Sequence, residues 1–366
     1  MGLAAHDFAQ GLGAQTVYLT RALKVDGVET VPSRWLQRLL ALVNAAKVQD
    51  KIAPKEPWLA WASERDRIDQ FAPVAAPAPR PPVESRPRSL SVTRIERWLA
   101  NPYEIFARDI LKLYPFEALG AEPDQSLRGQ IVHGAVHDFA VQYPDTLPDD
   151  IVGELVTIAD RRFAALGGSP RVEAFWRPHF QRFARWFAAT EPARRDGTLR
   201  TETEVEGVLD LNLDVKFRLT ARADRIDVTN DGSVKIYDYK TGSVPGQKHV
   251  SELFAPQLPL EAAIALGGGF GELRPHTVES LRYIRATGRY TGGEEQDAAA
   301  AAPDVLAAAA REALEALVTH FARADTPYEV KRRPGAAFQK LYRYDDYEQL
   351  ARVKEWLTAD TEEDFR

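Results

Sequence analysis

The sequence predicts an α/β (α+β) fold, in which helices flank a central mixed β-sheet. Residues 200–242 alternate apolar and polar residues over several short runs, as half-buried strands do. The segments on either side, including residues 126–143 and 255–266, instead repeat apolar residues at helical spacing. Sheets and helices that each carry an apolar face pack against one another in layers, which gives the predicted architecture.

The composition narrows the class of protein. The chain has 366 residues, 45% of them hydrophobic, and a formal net charge of −6, so DNA binding would require local basic grooves. The absence of cysteine excludes disulfides, thiolate zinc sites, cysteine-ligated iron–sulfur clusters and a cysteine nucleophile. No apolar run reaches the length of a membrane span, and the N-terminus lacks the pattern of a secretory signal. We therefore expect a cytoplasmic protein without membrane contact.

The first part of the chain is expected to hold a separate folded piece and a linker. In residues 1–70, "QTVYLTRA" (15–22) is rich in β-forming residues, and "SRWLQRLLALVNAA" (33–46) is a helix that Ser33 can cap. Proline and alanine dominate residues 71–89 without a periodic apolar face, which predicts an extended linker.

A second domain is predicted over residues 90–366. It begins with a helix whose expected N-cap is Thr93, with Glu96 completing a capping box, and Asn101-Pro102 interrupts this helix. Three or four antiparallel strands follow over 200–242, with the tight turn "NDGS" between two of them. The remaining expected elements are helices over 126–143, 149–195 (two or three), 255–266, 294–324 (after an acidic lead-in) and 347–357, and a strand over 278–286.

The stretch "KIYDYKTG" (235–242) carries the strongest chemical signal. Alternation places Asp238 and Lys240 on the same face at the end of a strand, and a hairpin joins this strand to the one that holds Asp224. Two neighbouring carboxylates repel unless a cation lies between them, and oxygen ligands favour Mg²⁺ or Mn²⁺. Lys240 beside such a cation would orient or help to deprotonate an attacking water.

Two residues outside these strands fit the same site. His133 lies on the helix "RGQIVHGAVHDF", where its imidazole would complete the metal shell. Gln257 opens the helix that follows the sheet and would contact a metal-bound water or a phosphate.

Simpler structural roles stand beside these assignments. Asp238 and Lys240 would alternatively form a surface ion pair, Asp224 would be a charged strand-end residue, His133 a packing residue and Gln257 a plain helix-start residue.

For the other candidates the structural role is the favoured one. Glu204 and Glu206 are expected in salt bridges, with an additional acid near the metal as the alternative, and Asp227 is expected to be structural. His133 and His137 have the spacing of a zinc pair, but no third ligand accompanies them.

The order of these motifs resembles the RecB-like branch of the PD-(D/E)XK nuclease superfamily. The positions that carry the resemblance are Gly129–His133, Asp224, Asp238-x-Lys240 and Gln257-Leu258. The resemblance implies a restriction-endonuclease-like core with helical additions and a Mg²⁺- or Mn²⁺-dependent deoxyribonuclease of exonuclease type. It implies catalytic roles for Asp224, Asp238, Lys240 and Gln257, and metal ligation by His133, Asp224 and Asp238. Glu261 departs from the aromatic residue usual in this family.

A further resemblance concerns the region before the sheet. "LSVTRIERWLANPYEIFARDILKL" (90–113) and the N-terminal residues, including "LTRA", resemble the C-terminal part of AddB, from the bacterial AddAB helicase–nucleases. This implies that residues 1–70 end a helicase-like region and that 90–366 form the nuclease domain. It also implies single-stranded DNA as substrate, an AddA-type helicase–nuclease partner and resection of double-strand breaks for recombinational repair. A phosphate-binding Gly-x-x-x-x-Gly-Lys-[Ser/Thr] loop is missing, so this chain is not expected to be a complete motor.

Two other functions remain open from the sequence. One is a non-catalytic scaffold that binds DNA or a partner, and the other is a stand-alone RecB-like exonuclease. The basic residues expected to follow a DNA backbone are Arg128, Arg222, Arg225 and Lys248, with Arg282, Arg285 and Arg289 further along the chain. Some AddB-like nucleases carry a four-cysteine iron–sulfur staple. None is expected here, so packing of the last helix onto the first helix of the domain must hold it closed.

Overall fold

The computed structural model describes residues 2–25, 27–52, 56–67, 74–116, 124–166, 169–330 and 346–356. The chain divides into two compact units, Met1–Ala72 and Pro73–Arg366. Predictions that fall between the described ranges, such as the start of the linker at 71–73 and residue 357 of the last helix, lie outside the described residues. None of the described helices is long and apolar enough to cross a lipid bilayer.

The first unit consists of short helices and one small hairpin. Its elements are α1 (Gly2–Gly11), β1 (Lys24–Val25), β2 (Val28–Glu29), α2 (Arg34–Ala45), α3 (Gln49–Ile52) and α4 (Trp58–Arg65). The cap predicted for α2 is confirmed, because Ser33 Oγ accepts a hydrogen bond from Leu36 N at 3.2 Å. The strand expected over 15–22 was wrong: these residues form no regular element, and the strands lie just beyond them.

The second unit is built on a six-stranded mixed sheet. Its strands are β3 (Ser89–Ser91), β4 (Thr198–Asn212), β5 (Lys216–Thr229), β6 (Val234–Lys240), β7 (Val278–Arg285) and β8 (Glu294–Asp297). The order is β3-β5-β6-β7-β8, and β4 pairs with β5. The pairs β3–β5 and β6–β7 are parallel and the others are antiparallel, which confirms the predicted mixed sheet.

The helices of this unit cover both faces of the sheet. They are α5 (Val92–Ala100), α6 (Pro102–Ile105), α7 (Gln125–Gln142), α8 (Ile151–Ala164), α9 (Arg177–Arg195), α10 (Gln247–Ser251), α11 (Gln257–Leu266), α12 (Pro303–Ala322) and α13 (Val353–Trp356), with π-helical turns at Phe106–Ile110 and Val172–Trp176. Apolar side chains of α5, α11 and α12 share one core with β6 residues such as Ile236. Helices α7, α8 and α9 form the other core with Tyr237 and Tyr239. Successive residues of β6 thus serve opposite layers.

Several element boundaries differ from the prediction. The N-cap of α5 is Ser91, whose Oγ accepts a hydrogen bond from Arg94 N at 3.3 Å, and Thr93 already lies inside the helix. The acidic lead-in over 294–297 forms β8 instead of a helical start. The last predicted helix is reduced to the four residues of α13, preceded by turns over 346–352.

The end of the described chain packs onto the first helices of the second unit, as the missing iron–sulfur staple led us to expect. Tyr347, Ala351 and Val353 share a small buried cluster with Tyr103 and Ala107. Tyr347 Oη also donates a hydrogen bond to the carbonyl of Leu113 at 2.7 Å. These contacts fall on α6 and the π-helical turn that follows it rather than on α5, and the role of this packing in holding the domain closed stays a prediction.

Candidate active site

The candidate site lies where one edge of β5 changes partner. On this edge β3 pairs with residues 218–220, while β6 pairs with residues 225–228. The β5–β6 ladder ends at Arg225 opposite Tyr237, so Asp224 and Asp238 are the next residues in that register. Beyond the ladder, Asp224 Oδ2 accepts a hydrogen bond from Tyr239 N at 2.8 Å. The strands open at the point where the sequence places two acids.

A cluster of metal-ligating side chains lies at this opening. One ligand atom from each of His133, Glu204 and Asp224 lies within 4.8 Å of the others, and all three residues are half-buried. Two ligands of an octahedral Mg²⁺ lie about 3 Å apart when adjacent and about 4.2 Å apart when opposite, given metal–oxygen bonds of about 2.1 Å. A small adjustment would therefore bring all three onto one ion. The oxygen-rich donor set with one imidazole suits Mg²⁺ or Mn²⁺.

Helix α7 brings His133 to the cluster. Its N-cap is Asp124, which accepts a hydrogen bond from Leu127 N at 2.9 Å, and its residues Ile131, Ala135 and Phe139 are buried. Packing this apolar face against the sheet leaves His133 Nδ1 at 3.1 Å from Asp224 Oδ1. One turn further along α7, the ring of His137 contacts Thr203 instead, and this histidine is not part of the cluster.

Glu204 reaches the cluster from β4 through an unusual backbone conformation. Its neighbours Thr203 and Val205 pair with Arg225 and Ala223, so Glu204 lies across from Asp224. Its φ of +55° lies in the left-handed region, which costs a non-glycine residue about 1–3 kcal/mol. Glu204 also forms the salt bridge that the sequence favoured, with Arg222 at 2.6 Å. Backbone strain of this kind concentrates at functional sites, and Glu204 is also a member of the ligand cluster.

Asp238, Lys240 and Gln257 form a second group beside the cluster. Lys240 Nζ donates to Asp238 Oδ1 at 2.9 Å and to Gln257 Oε1 at 3.0 Å, and Gln257 Nε2 donates to Asp238 Oδ1 at 2.6 Å. The ammonium also forms an ion pair with Asp238 Oδ2 at 2.8 Å, although this buried oxygen accepts no hydrogen bond of good geometry among the described residues. Asp238 is therefore not one of the three clustered ligands, and both of its oxygens face Lys240.

Glu261 is a buried acid that adjoins this second group. It lies one turn after Gln257 on α11, is 1% exposed, and accepts a hydrogen bond from Gln257 Nε2 at 3.2 Å. Burial, followed by the charges of Asp238 and Asp224, raises its pKa well above the usual range. The residue that departs from the family's aromatic thus adds a second buried carboxyl group, next to that of Asp238.

The protonation equilibria reflect the crowding of acids. Burial and the charge of Asp224 raise the pKa of Asp238, although Lys240 opposes them. Burial lowers the pKa of Lys240, but Asp238 and then Asp224 outweigh it, so the net shift is upward. Burial likewise disfavours charged His133, but its contact with Asp224 raises its pKa overall. All three shifts favour the more positively charged form of the side chain. The same excess of acids would also favour a bound divalent cation.

Arg225 was wrongly placed among the DNA-contacting residues. It is 1% exposed, and its guanidinium lies over the ring of Tyr237 in the layer formed by α7, α8 and α9. Its guanidinium contacts Asp227 at 2.7 and 2.9 Å and Glu191 of α9 at 2.8 and 2.9 Å. Arg225 is thus a buried counter-ion for two acids and is not accessible to a DNA backbone. Asp227, also buried, has the structural role that the sequence indicated.

The other three basic candidates are reachable from solvent. Arg222 is 65% exposed and pairs with Glu204, and Lys248 on α10 is 81% exposed and lies 3.7 Å from Glu252. Arg128 is half-buried on α7, where its Nη2 lies 3.5 Å from the carbonyl oxygen of Ala286.

An open cleft gives access to the cluster. It has a volume of about 650 Å³ and is lined by the exposed side of α7, by Arg162 and by Glu204, Arg222 and Asp224. The wall that α7 contributes includes Gly129, where an added methyl group would lie 3.5 Å from Thr241 Oγ1. This ordinary contact does not itself require glycine, but it places the start of α7 next to the residue that follows Lys240.

Comparison with known proteins identifies the family. A model of the PD-(D/E)XK nuclease superfamily matches residues 89–337, which is more than half of the chain. This range includes every residue of the cluster and of the Asp238 group.

The relatives are longer proteins. Uncharacterized proteins of Rickettsia conorii and Rickettsia bellii are 26% identical over 69% of this chain and 28% identical over 50% of it, and the matches cover 30% and 22% of those relatives. A protein of Streptococcus uberis, which is named as part of an ATP-dependent helicase/deoxyribonuclease, is 28% identical over 43% of this chain and 14% of its own length. The chain spans less than a third of the length of these curated relatives. The chain belongs to the PD-(D/E)XK nuclease superfamily.

Proposed function

We propose that this protein is a Mg²⁺- or Mn²⁺-dependent deoxyribonuclease that hydrolyses phosphodiester bonds in single-stranded DNA. The observation that carries the proposal is the juxtaposition of two groups at the β5 opening. One is the ligand cluster of His133, Glu204 and Asp224. The other is the hydrogen-bonded group of Asp238, Lys240 and Gln257.

His133, Glu204 and Asp224 would hold the cation, and the Asp238 carboxylate, which is ion-paired with Lys240, would turn toward it. When bound, the divalent ion supplies electrostatic stabilisation for charge that develops on the phosphate. The protein residues supply orientation, because the hydrogen bonds of the second group fix the Lys240 ammonium beside Asp238.

Lys240 is assigned the role of orienting the attacking water and offsetting negative charge on the phosphate. Its raised pKa favours the ammonium form, which donates hydrogen bonds and cannot accept a proton. Gln257 fixes the position of Lys240 relative to Asp238, because its amide oxygen accepts from Lys240 and its amide nitrogen donates to Asp238.

We further propose that the nuclease works within a helicase–nuclease complex that resects double-strand breaks for recombinational repair. The similarity to the streptococcal helicase/deoxyribonuclease protein supports this, as does the greater length of the relatives. On this proposal residues 1–70 end a helicase-like region, residues 71–89 are a linker and 90–366 form the nuclease domain. The partner is an AddA-type helicase–nuclease, the substrate strand passes Arg128, Arg222 and Lys248, and the complex acts on chromosomal DNA in the cytoplasm.

The test is cleavage of an end-labelled single-stranded oligonucleotide by the full chain, with Mg²⁺ and with EDTA. We expect products only with Mg²⁺ and a loss of at least about a hundredfold in rate for Asp238→Ala, since electrostatic catalytic groups are worth about 10²–10³ in rate. Asp214→Ala, which removes an acid from the β4–β5 turn, serves as the control and should cleave like the wild type.

Equal cleavage by the wild type and Asp238→Ala would reject the site. If the wild type binds the oligonucleotide but gives no product with either Mg²⁺ or Mn²⁺, the proposed activity of this chain is wrong and the scaffold alternative is favoured.

A further inference from the structure

A cluster of basic side chains lies outside the site described above. It combines Arg128 of α7, His179 and Arg182 of α9, and Arg289 of the loop between β7 and β8. Arg182 Nε donates to Gly288, whose backbone packs on His179, and Arg128 reaches the neighbouring Ala286. Burial lowers the pKa of His179, and the positive charges of Arg128, Arg182 and Arg289 lower it further. Three separate elements thus bring positive charge to one place.

The cluster lacks the acids that accompany most buried or half-buried arginines here. Among the described residues, Arg128, Arg182 and Arg289 form no ion pair with a carboxylate, whereas their neighbours Arg282 and Arg285 pair with Glu295, Asp297 and Glu294. Arg182 Nε instead donates to the carbonyl of Gly288 at 2.5 Å. Mutual repulsion of three cations is unfavourable, and an anion bound between them would relieve it.

His179 adds a polar group that has no partner in the described structure. Its Nδ1 is buried and forms no hydrogen bond. The other ring nitrogen, Nε2, can donate a hydrogen bond to a phosphate oxygen in the tautomer that carries its proton there.

The loop that carries Arg289 is fixed against α9 by three glycines. A methyl group added at Gly288 (φ +60°) would lie 2.4 Å from His179 Cβ, and one at Gly292 (φ +76°) would lie 2.3 Å from the carbonyl oxygen of Arg182. Gly293 packs equally closely on the ring of Trp186. Such close contacts hold Arg289 at a defined position, although its own side chain is exposed.

The cluster also adjoins the candidate active site. Arg128 immediately precedes Gly129, whose position adjoins Thr241, and its Nη2 lies 3.5 Å from the carbonyl oxygen of Ala286. The amide of Ala286 in turn donates to the carbonyl of Lys240 at 2.8 Å. The backbone that pairs with Lys240 therefore leads, two residues after Ala286, to Gly288 and the loop that carries Arg289.

We propose that Arg128, His179, Arg182 and Arg289 form a phosphate subsite that grips the strand next to the bond being cut. The ligand is a phosphate of single-stranded DNA, and exposed Tyr290 beside Arg289 is placed to stack on a base. This inference rests on the proposed nuclease function, whose residues it leaves unchanged. A subsite of this kind would determine which phosphodiester bond of the DNA lies at the metal cluster.

The experiment measures binding of a fluorescent single-stranded oligonucleotide to the full chain in EDTA, where no cleavage is expected. Arg289→Ala should weaken binding about three- to tenfold, and the slope of log K against log salt should fall by about 0.7 for one lost phosphate contact. Arg289→Lys keeps the charge and should retain most of the affinity. Arg311→Ala on α12 removes an equal charge from the opposite layer and should bind like the wild type.

Oligonucleotides with a 5′-phosphate and with a 5′-hydroxyl distinguish two sources of the phosphate. An effect of Arg289→Ala on both assigns an internal phosphodiester, while an effect only on the phosphorylated strand assigns a terminal phosphate. Unchanged affinity and salt slope in Arg289→Ala, or no binding by the wild type, would overturn the subsite. Mg²⁺-dependent cleavage by the wild type is scored separately, so the subsite and the nuclease function can fail independently.

Discussion

The replacement Glu191→Gln tests whether the buried ionic network behind the catalytic strands stabilises the fold. Glu191 is fully buried, and its carboxylate accepts hydrogen bonds from Arg225 at 2.8 and 2.9 Å, from Arg195 at 2.9 Å and from Arg194 at 2.5 Å. Arg225 is itself buried and keeps only Asp227 as a further acid partner among the described residues. A neutral amide would therefore leave excess positive charge in the interior.

Removing one member of a buried ion pair typically costs about 3–5 kcal/mol, because the remaining charge is left without compensation. At about 2 °C per kcal/mol for a domain of this size, the melting temperature should fall by about 6–10 °C. The assay is thermal unfolding followed by circular dichroism. Glu312→Gln removes an exposed acid from α12 and should leave the melting temperature within about 1 °C of the wild type.

The same variant gives a signed dependence on pH. Burial raises the pKa of Glu191, but Arg225 and Arg194 outweigh it, and the net shift is below the ordinary value of 4.5. A depressed pKa contributes stability above about pH 4.5, and this contribution is lost as the pH falls through the folded-state pKa. The difference in free energy of unfolding between the wild type and Glu191→Gln should therefore be largest at pH 7 and decrease in acid. A variant within about 1 kcal/mol of the control at pH 7, or a gap that widens in acid, would refute the reasoning.

Three further changes have expected outcomes. Glu204→Gln should weaken Mn²⁺ binding at least about tenfold in isothermal titration calorimetry, since the site loses an anionic ligand. The control Glu206→Gln, at an exposed position, should bind Mn²⁺ like the wild type. Equal affinities of Glu204→Gln and the wild type would remove Glu204 from the metal site. Tyr347→Ala should destabilise the chain by about 3 kcal/mol in urea unfolding, through lost burial and a lost hydrogen bond; a loss under about 1 kcal/mol would mean that this packing does not close the domain. Gly269→Ala should lower the melting temperature by several degrees, because the methyl group would lie 2.0 Å from a backbone oxygen of β4, whereas Gly242→Ala meets nothing within 4 Å and should be neutral.

The sequence predicted the elements that carry a clear period. The alternation over 200–242 and the helical spacing in 126–143 correspond to β4, β5, β6 and α7. One face is buried in α7, in the second half of β4 and in the first half of β5, whereas β6 is buried on both faces. The missed strands lack that signal. Residues 294–297 read "EEQD", and this edge strand is held by backbone pairing with β7 and by the ion pairs of Arg282 rather than by apolar burial.

Short elements were missed for a related reason. β3 has three residues at the end of a proline-rich stretch, and its parallel partner on β5 lies more than a hundred residues away. The strand expected over 15–22 has the right residue types, but β-propensity depends on a neighbouring surface to pack against. No regular strand forms there.

The candidate site, like the fold, could be predicted only in part from the sequence. Spacing brought attention to Asp224, Asp238, Lys240 and His133, because strand alternation and motif order are local properties of the chain. The proximity of Glu204 depends on its register opposite Asp224 and on its positive φ, neither of which is written in the local sequence. Pairing counts along the β4–β5 hairpin would have placed it across from Asp224.

The roles of the arginines could be assigned only from the three-dimensional structure. Arg225 and Arg289 look alike in the sequence, yet the former is 1% exposed between two acids and the latter is exposed without an acid partner among the described residues. Only the three-dimensional arrangement distinguishes a structural counter-ion from a residue available to a phosphate.

Anomalous diffraction from crystals of the full chain soaked in Mn²⁺ tests the central claim most directly. The account predicts an anomalous peak at about 2.0–2.3 Å from ligand atoms of His133, Glu204 and Asp224, distances that correspond to bonds from a divalent ion to nitrogen and oxygen. The Asp238 carboxylate should turn toward the same peak. A peak elsewhere on the protein, or none at saturating Mn²⁺, would contradict the assignment of this cluster as the metal site.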